Sequence, residues 1–294
     1  MSIPHELFAP DPAYIAYATE NLVFRKWSAV ATQVLLVYEY TITFRSEIRY
    51  IWGSPVSFVK AIYLFSRYYG LVVQAVNLYL VSGPLAKLDI PEHVCRRWFY
   101  FLISSGCTLA AALDAILMLR VYALYLQDDR VGLFLAALFS AQRVVEGILA
   151  PIVLDVPLDS ICDLRKTHKA SIYFGISIMI KHTILLVMTL AKRKLAALGA
   201  PVVRLVRRDG IWVVVLLFAI FATIIPYSFV KQVAKAHVVF GWPMSLISIL
   251  CCRMIMNMQQ LNVNTSDENE ESELTTCTSS KLDEFALYTL DSDI

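Results

Sequence analysis

Long apolar blocks constrain this chain more than any motif in it. Each runs for about 18–25 residues, the length a helix needs to cross ~30 Å of hydrocarbon, and charged residues collect between them. In chain order they fall near Trp27–Phe44, Ser57–Val81, Trp98–Leu119, Val131–Leu154, Ala170–Leu190, Ile211–Val230 and Val238–Met258. The predicted fold is all-α: a polytopic integral membrane protein built as a seven-transmembrane-helix bundle. Composition points the same way. Of 294 residues, 58% are hydrophobic and 17% charged, and mean hydropathy is +0.60. A soluble domain carries about a quarter charged residues and roughly 45–50% apolar ones.

Three regions follow. Residues 1–26, with Pro4, Pro10 and Pro12, read as an extracellular or lumenal arm with a short interfacial helix around Tyr14–Leu22. Residues 27–258 form the membrane domain. Residues 259–294 read as an acidic, disordered cytoplasmic tail: beyond Leu261 stand nine Asp or Glu and one basic residue, Lys281. The net charge of +2 therefore hides a clearly basic body, suited to anionic lipid headgroups. Charge alone does not argue for nucleic acid. Pro226 is expected to break the sixth span, where a backbone donor is missing. No repeat relates the two halves.

The densest basic cluster is the linker at 192–208, with Lys192, Arg193 and Lys194 at one end and Arg204, Arg207 and Arg208 at the other. The positive-inside rule places it in the cytoplasm. The N-terminus is then outside, and the expected location is the plasma membrane.

Ionisable groups at bilayer depth are costly and face the bundle interior by default. Here they are Glu39, Lys60, Arg67, Asp114, Arg143, Glu146, Lys181 and His182. Counting helical rise puts Glu39 and Lys60 at similar depth, each roughly 8 Å from the inner end of its span. That predicts a Glu39–Lys60 pair, and leaves Arg67 to reach Asp114. Arg143 and Glu146, three apart on one helix, are placed to pair with each other. Two readings stay open: structural locks holding helices in register, or a ligand or ion site built from at least one of them. Lys181 and His182 are adjacent, about 100° apart around a helix, and are not expected to share one contact; either one of them faces a cavity, or they snorkel or pair with another span.

Cys95 and Cys162 both fall on the predicted outer side, where a disulfide would persist; two separate thiols are the alternative. Cys251 and Cys252, near the inner end of span seven, read as packing residues or as acylation sites. Asn264-Thr265-Ser266 is a sequon on the predicted inner side, out of reach of glycosylation. Metalloprotease, nucleophile-elbow and phosphate-loop motifs are missing. Neither a zinc ligand set nor paired haem histidines is visible. No cofactor or metal is expected, and the chain is not expected to be an enzyme.

The run Tyr38-Glu39-Tyr40, Thr43, Glu47-Ile48, Ile51-Trp52, Ser57, Lys60, Tyr63 and Arg67-Tyr68 resembles a segment shared by many fungal, chiefly basidiomycete, membrane proteins: domain-of-unknown-function family 6533. Leu119-Arg120-Val121-Tyr122, the two outer cysteines and the Arg253…Asn257 ending of span seven also resemble that family. Glu39 departs from it, since the family more often has Asp there. The resemblance implies a multi-span protein and names no substrate and no catalytic residue. The topology is also similar to that of G-protein-coupled receptors. Arg120 stands at the inner end of span three, but without a preceding acidic residue, and span seven lacks Asn-Pro-x-x-Tyr. The first functional reading is a receptor-like sensing or signalling protein, binding a small molecule near Lys181, His182, Asp114 and Arg67 and engaging a cytoplasmic partner through 192–208. The alternative is a small-solute or proton-linked transporter. The third is a non-catalytic membrane scaffold.

Overall fold

The computed structural model describes residues 12–53, 57–154, 158–163, 170–191, 211–212, 214–220, 222 and 240–260. The described residues are helical, with no β-strand among them. Helices α1 (Pro12–Glu47), α2 (Phe58–Ser82), α3 (Glu92–Leu124), α4 (Asp129–Leu154) and α5 (Ala170–Ala191) follow one another, with a π-helical turn, Ile48–Trp52, closing α1. Helical residues 214–220 (α6) and 242–260 (α7) follow. The basic linker at 192–208, Pro226, Asn264 and most of the acidic tail lie outside the described residues.

α1 begins at Pro12, as a proline at the first helical turn allows, and its 36 residues run without a break. Tyr14–Leu22 is thus the first part of one rod about 54 Å long, not a separate interfacial helix. Ser57 starts α2 by accepting the Lys60 amide at 3.2 Å, the usual service of an N-cap serine. Between α3 and α4 the chain reverses through Leu126 and Gln127, at φ 56° and 60°. Gly132 lies against Tyr122 there; a Cβ on it would come within 2.9 Å of the ring.

The order of packing is antiparallel and local: α1 on α2, α2 on α3, α3 on α4, α4 on α5, with α5 returning to α3. α3 is central. Leu102, Leu109, Leu113, Asp114 and Ile116 are all nearly inaccessible. One apolar cluster gathers around Trp98, Phe99 and Leu102 near the start of α3. A second gathers around Tyr63, Leu117, Val121 and Ile255 near its end. We call these the disulfide end and the π-turn end.

α3, α4 and α5 contain stretches long and apolar enough to cross a membrane: Glu92–Leu124, Asp129–Ile152 and Ile172–Ala191. Three such helices are found among the described residues, against the seven spans expected. α1 and α2 miss that standard because of their polar residues, and the direction of those residues is informative. On α1 Ser28, Thr32 and Glu39 are buried, whereas Trp27, Val34, Tyr38, Ile42 and Phe44 are exposed. On α2 Ser66, Arg67, Gln74 and Asn77 are buried, whereas Phe58, Phe65, Val72, Val76 and Tyr79 are exposed. Exposed hydroxyls are turned back onto their own helices: Thr41 donates to the Tyr38 carbonyl at 2.7 Å and Thr183 to Met179 at 2.8 Å.

Candidate functional site

Asp114, in the middle of α3 and 1% exposed, collects three side chains from two other helices. Lys181 Nζ on α5 lies 2.5 Å from Oδ2. Arg143 Nη2 on α4 lies 2.9 Å from the same oxygen. His182 Nε2, next along α5, stands 3.4 Å from Oδ1. Glu146 joins from α4, its carboxylate 2.8 Å from Arg143, with the Gln142 amide donating to it at 3.0 Å. Arg143 also donates to the Cys107 carbonyl at 3.1 Å. Two carboxylates thus face two cations, the near-neutral balance that burial in low dielectric demands.

The Arg143–Glu146 pair is the three-residue pair expected on one helix. Lys181 and His182 pair with another span, one of the two readings left open, but they were not expected to share one contact and here they do. A carboxylate has two oxygens, and the adjacent side chains each take one, so both converge on Asp114. His182 also donates from Nδ1 to the Ile178 carbonyl at 2.9 Å. Its ring lines a cleft of about 20 Å³ together with Arg120, Leu185, Thr189, Val214 and Met254, room for about one water. Arg120 closes the far wall by donating to the Met254 carbonyl on α7.

Arg67 does not reach Asp114. Its Nε meets Glu47 at 3.0 Å, and both side chains are almost wholly enclosed. Nη1 donates to the Tyr63 hydroxyl at 3.0 Å and Nη2 to the Tyr40 carbonyl at 3.1 Å. The guanidinium lies over the Tyr40 ring, 4.7 Å from its centre, and the Tyr68 hydroxyl donates to the second Glu47 oxygen at 3.3 Å. Nor does Glu39 meet Lys60. Glu39 forks onto Arg253 of α7 at 2.6 and 2.8 Å, while Lys60 donates to the Trp52 carbonyl at 3.3 Å. Rotation about the helix axis, which decides the partner, was not available to a count of depth. Among motif residues, the Thr43 hydroxyl returns to the Glu39 carbonyl at 2.6 Å, and Trp52 is exposed.

At the disulfide end Cys95 and Cys162 are bonded, their Cα atoms 5.2 Å apart. The segment 158–163 is fastened further. Ile90 N–H donates to the Ser160 carbonyl at 3.1 Å, and the Tyr14 hydroxyl reaches Ser160 at 2.6 Å. Arg25 donates to the Ile161 and Leu85 carbonyls, each at 2.7 Å. The sequence reading passed over Arg25, placing it in a polar arm. Cys251 and Cys252 are buried between helices, with the Cys251 thiol 3.1 Å from Ser66 Oγ, so neither thiol is presented for acylation. No metal-binding group of His, Cys, Asp and Glu occurs among the described residues.

Together these define an all-helical protein with internal ion networks and three helices long and apolar enough to cross a membrane. The sequence profile of a family of unknown function, DUF6533, matches residues 27–72. That stretch is the later part of α1, the π turn and the first half of α2, and it contains Glu39, Tyr40, Glu47, Arg67 and Tyr68. The matched segment is therefore the hairpin that the Glu47–Arg67 pair closes. No curated protein and no solved structure matches the chain.

Proposed function

We propose that the chain is a receptor-like membrane protein, non-enzymatic, with seven spans, its disulfide end outside and its π-turn end in the cytoplasm. The observation that carries the membrane reading is the inverted polarity of α1 and α2. Between the exposed Lys26 and Arg45, the outward residues of α1 are uncharged while Glu39 points inward. Nineteen residues of helix cover about 28 Å, the thickness of the hydrocarbon layer. A soluble helix pair would turn the opposite face outward.

The receptor-like reading rests on where the Asp114 network sits. It joins α3, α4 and α5 beside a one-water cleft shared with α6 and α7, on the side of the bundle from which 192–208 departs. Asp114, Arg143 and Glu146 are each met by more than one partner, which suits a lock between two arrangements better than a relay that must release its charge. The transporter reading uses the same residues as a relay.

One set of measurements separates them. Proximity labelling from the full chain, compared with a chain in which the six basic residues of 192–208 are Gln, is expected to lose a set of cytoplasmic partners. Flux of protons or small solutes in vesicles is expected to be absent. Unchanged labelling together with flux that disappears in Asp114→Asn overturns the receptor-like reading in favour of a transporter; neither effect leaves the scaffold.

A further inference from the structure

The hairpin between α1 and α2 carries one carboxylate, Glu47, and it is spent inside. Glu47 is wholly enclosed against Arg67 and the Tyr68 hydroxyl. Ile51, one turn on, is equally enclosed. The opposite face presents Arg45, Ile48, Arg49 and Trp52, all exposed. Their spacing of three, one and three residues keeps them on a single stripe of the helix end. Arg49 lies over the neighbouring Tyr50 ring, 5.6 Å from its centre. Arg45 and Arg49, with no exposed acidic neighbour among the described residues, thus alternate with an apolar residue and an indole.

Two other described sites at the ends of the bundle are of mixed sign. At the disulfide end Glu92 and Arg96 pair at 2.7 Å, both largely exposed. The α3–α4 turn at the π-turn end sets Asp128 and Asp129 beside Arg130. The hairpin stripe, by contrast, is of one sign and amphipathic.

We propose that this stripe is a seat for anionic phospholipid headgroups. Arg45 and Arg49 contact lipid phosphates and carboxylates, and Ile48 and Trp52 sit at the level of the ester groups. Tryptophan is enriched at that depth, and a basic residue near an anionic leaflet gains about fivefold in local partition. Anionic lipid on the cytoplasmic leaflet is the occupant that complements both the charge and the apolar residues. An acidic protein segment would match the charge and leave Ile48 and Trp52 without a place. The proposal rests on the membrane reading above.

The test uses the full chain reconstituted in vesicles of phosphatidylcholine with about one third phosphatidylserine. Bromine is placed on the upper acyl carbons of one lipid or the other, and fluorescence specific to Trp52 is obtained by difference from Trp52→Phe. At equal mole fraction, brominated phosphatidylserine is expected to quench Trp52 about two- to fivefold more than brominated phosphatidylcholine. In Arg45→Gln with Arg49→Gln the two lipids are expected to quench equally. Equal quenching in the unaltered chain overturns the proposal, as does a preference that persists in the double variant. Should the double variant fail to reconstitute, the comparison in the unaltered chain decides alone. Absence of quenching by either lipid, with release of the chain at alkaline pH, instead overturns the membrane reading beneath it.

Discussion

Glu39 of α1 and Arg253 of α7 form a forked ion pair, Oε1 to Nε at 2.6 Å and Oε2 to Nη2 at 2.8 Å. The bond joins the first described helix of the chain to the last, and it defines the partner that Lys60 was expected to be. A double-mutant cycle on thermal unfolding in detergent is expected to give a Glu39–Arg253 coupling of about 1 kcal/mol, held down by the exposure of Arg253. The Glu39–Lys60 cycle is expected to give none. Arg253→Lys keeps the charge and loses the fork, so it falls between the unaltered chain and Arg253→Met.

At Gly70 α2 and α7 lie close together. A Cβ there would stand 2.5 Å from Ser248 Oγ and 2.9 Å from its Cβ, and Ser248 is held by donating to the Ser66 carbonyl at 2.9 Å. Small residues allow such close approach between membrane helices. Gly70→Ala is expected to destabilise by about 1–3 kcal/mol. Adding Ser248→Gly is expected to recover part of that loss. Additive losses in the thermal melt would falsify the contact.

Asp114 balances Lys181 and Arg143 away from solvent. Removing its charge leaves Lys181 enclosed without a carboxylate in direct contact, at a cost of about 3–5 kcal/mol. Asp114→Asn is therefore expected to lower folded yield sharply, and Asp114→Leu combined with Lys181→Met to restore much of it. A double variant no better than the single one contradicts the balance.

The sequence disclosed the ingredients of the ion networks and little of their pairing. Arg143 with Glu146 was legible because both lie on one helix, where spacing alone fixes direction. The Cys95–Cys162 bond was legible as a shared side of the membrane. Glu39 and Arg67 were assigned wrong partners because depth is one coordinate and contact needs two more. Glu47 was visible as a motif residue, but it sits at the end of its helix, outside the set of charges considered at bilayer depth. Arg253, named only in the resemblance at the end of span seven, was left out of that set although it lies within the span. The early start of α1 was hidden by Pro10 and Pro12, which look like loop residues until one is placed at a helix N-terminus.

The disulfide closes a loop of 67 residues between α3 and the segment before α5. Chain-entropy reasoning gives it about 4 kcal/mol. Reduction, or Cys95→Ser, is expected to lower the melting temperature without altering helix content at low temperature. Mass spectrometry after alkylation under native conditions is expected to find Cys95 and Cys162 unmodified until a reductant is added.

The fastening of 158–163 has a mechanical consequence. That short stretch is held simultaneously by Cys95 of α3, by Tyr14 and Arg25 of α1, and by Ile90. The ties come from separate elements, α1, the turn before α3 and α3 itself, so the stretch works as a rivet through that end of the bundle, and breaking one tie leaves the others in place.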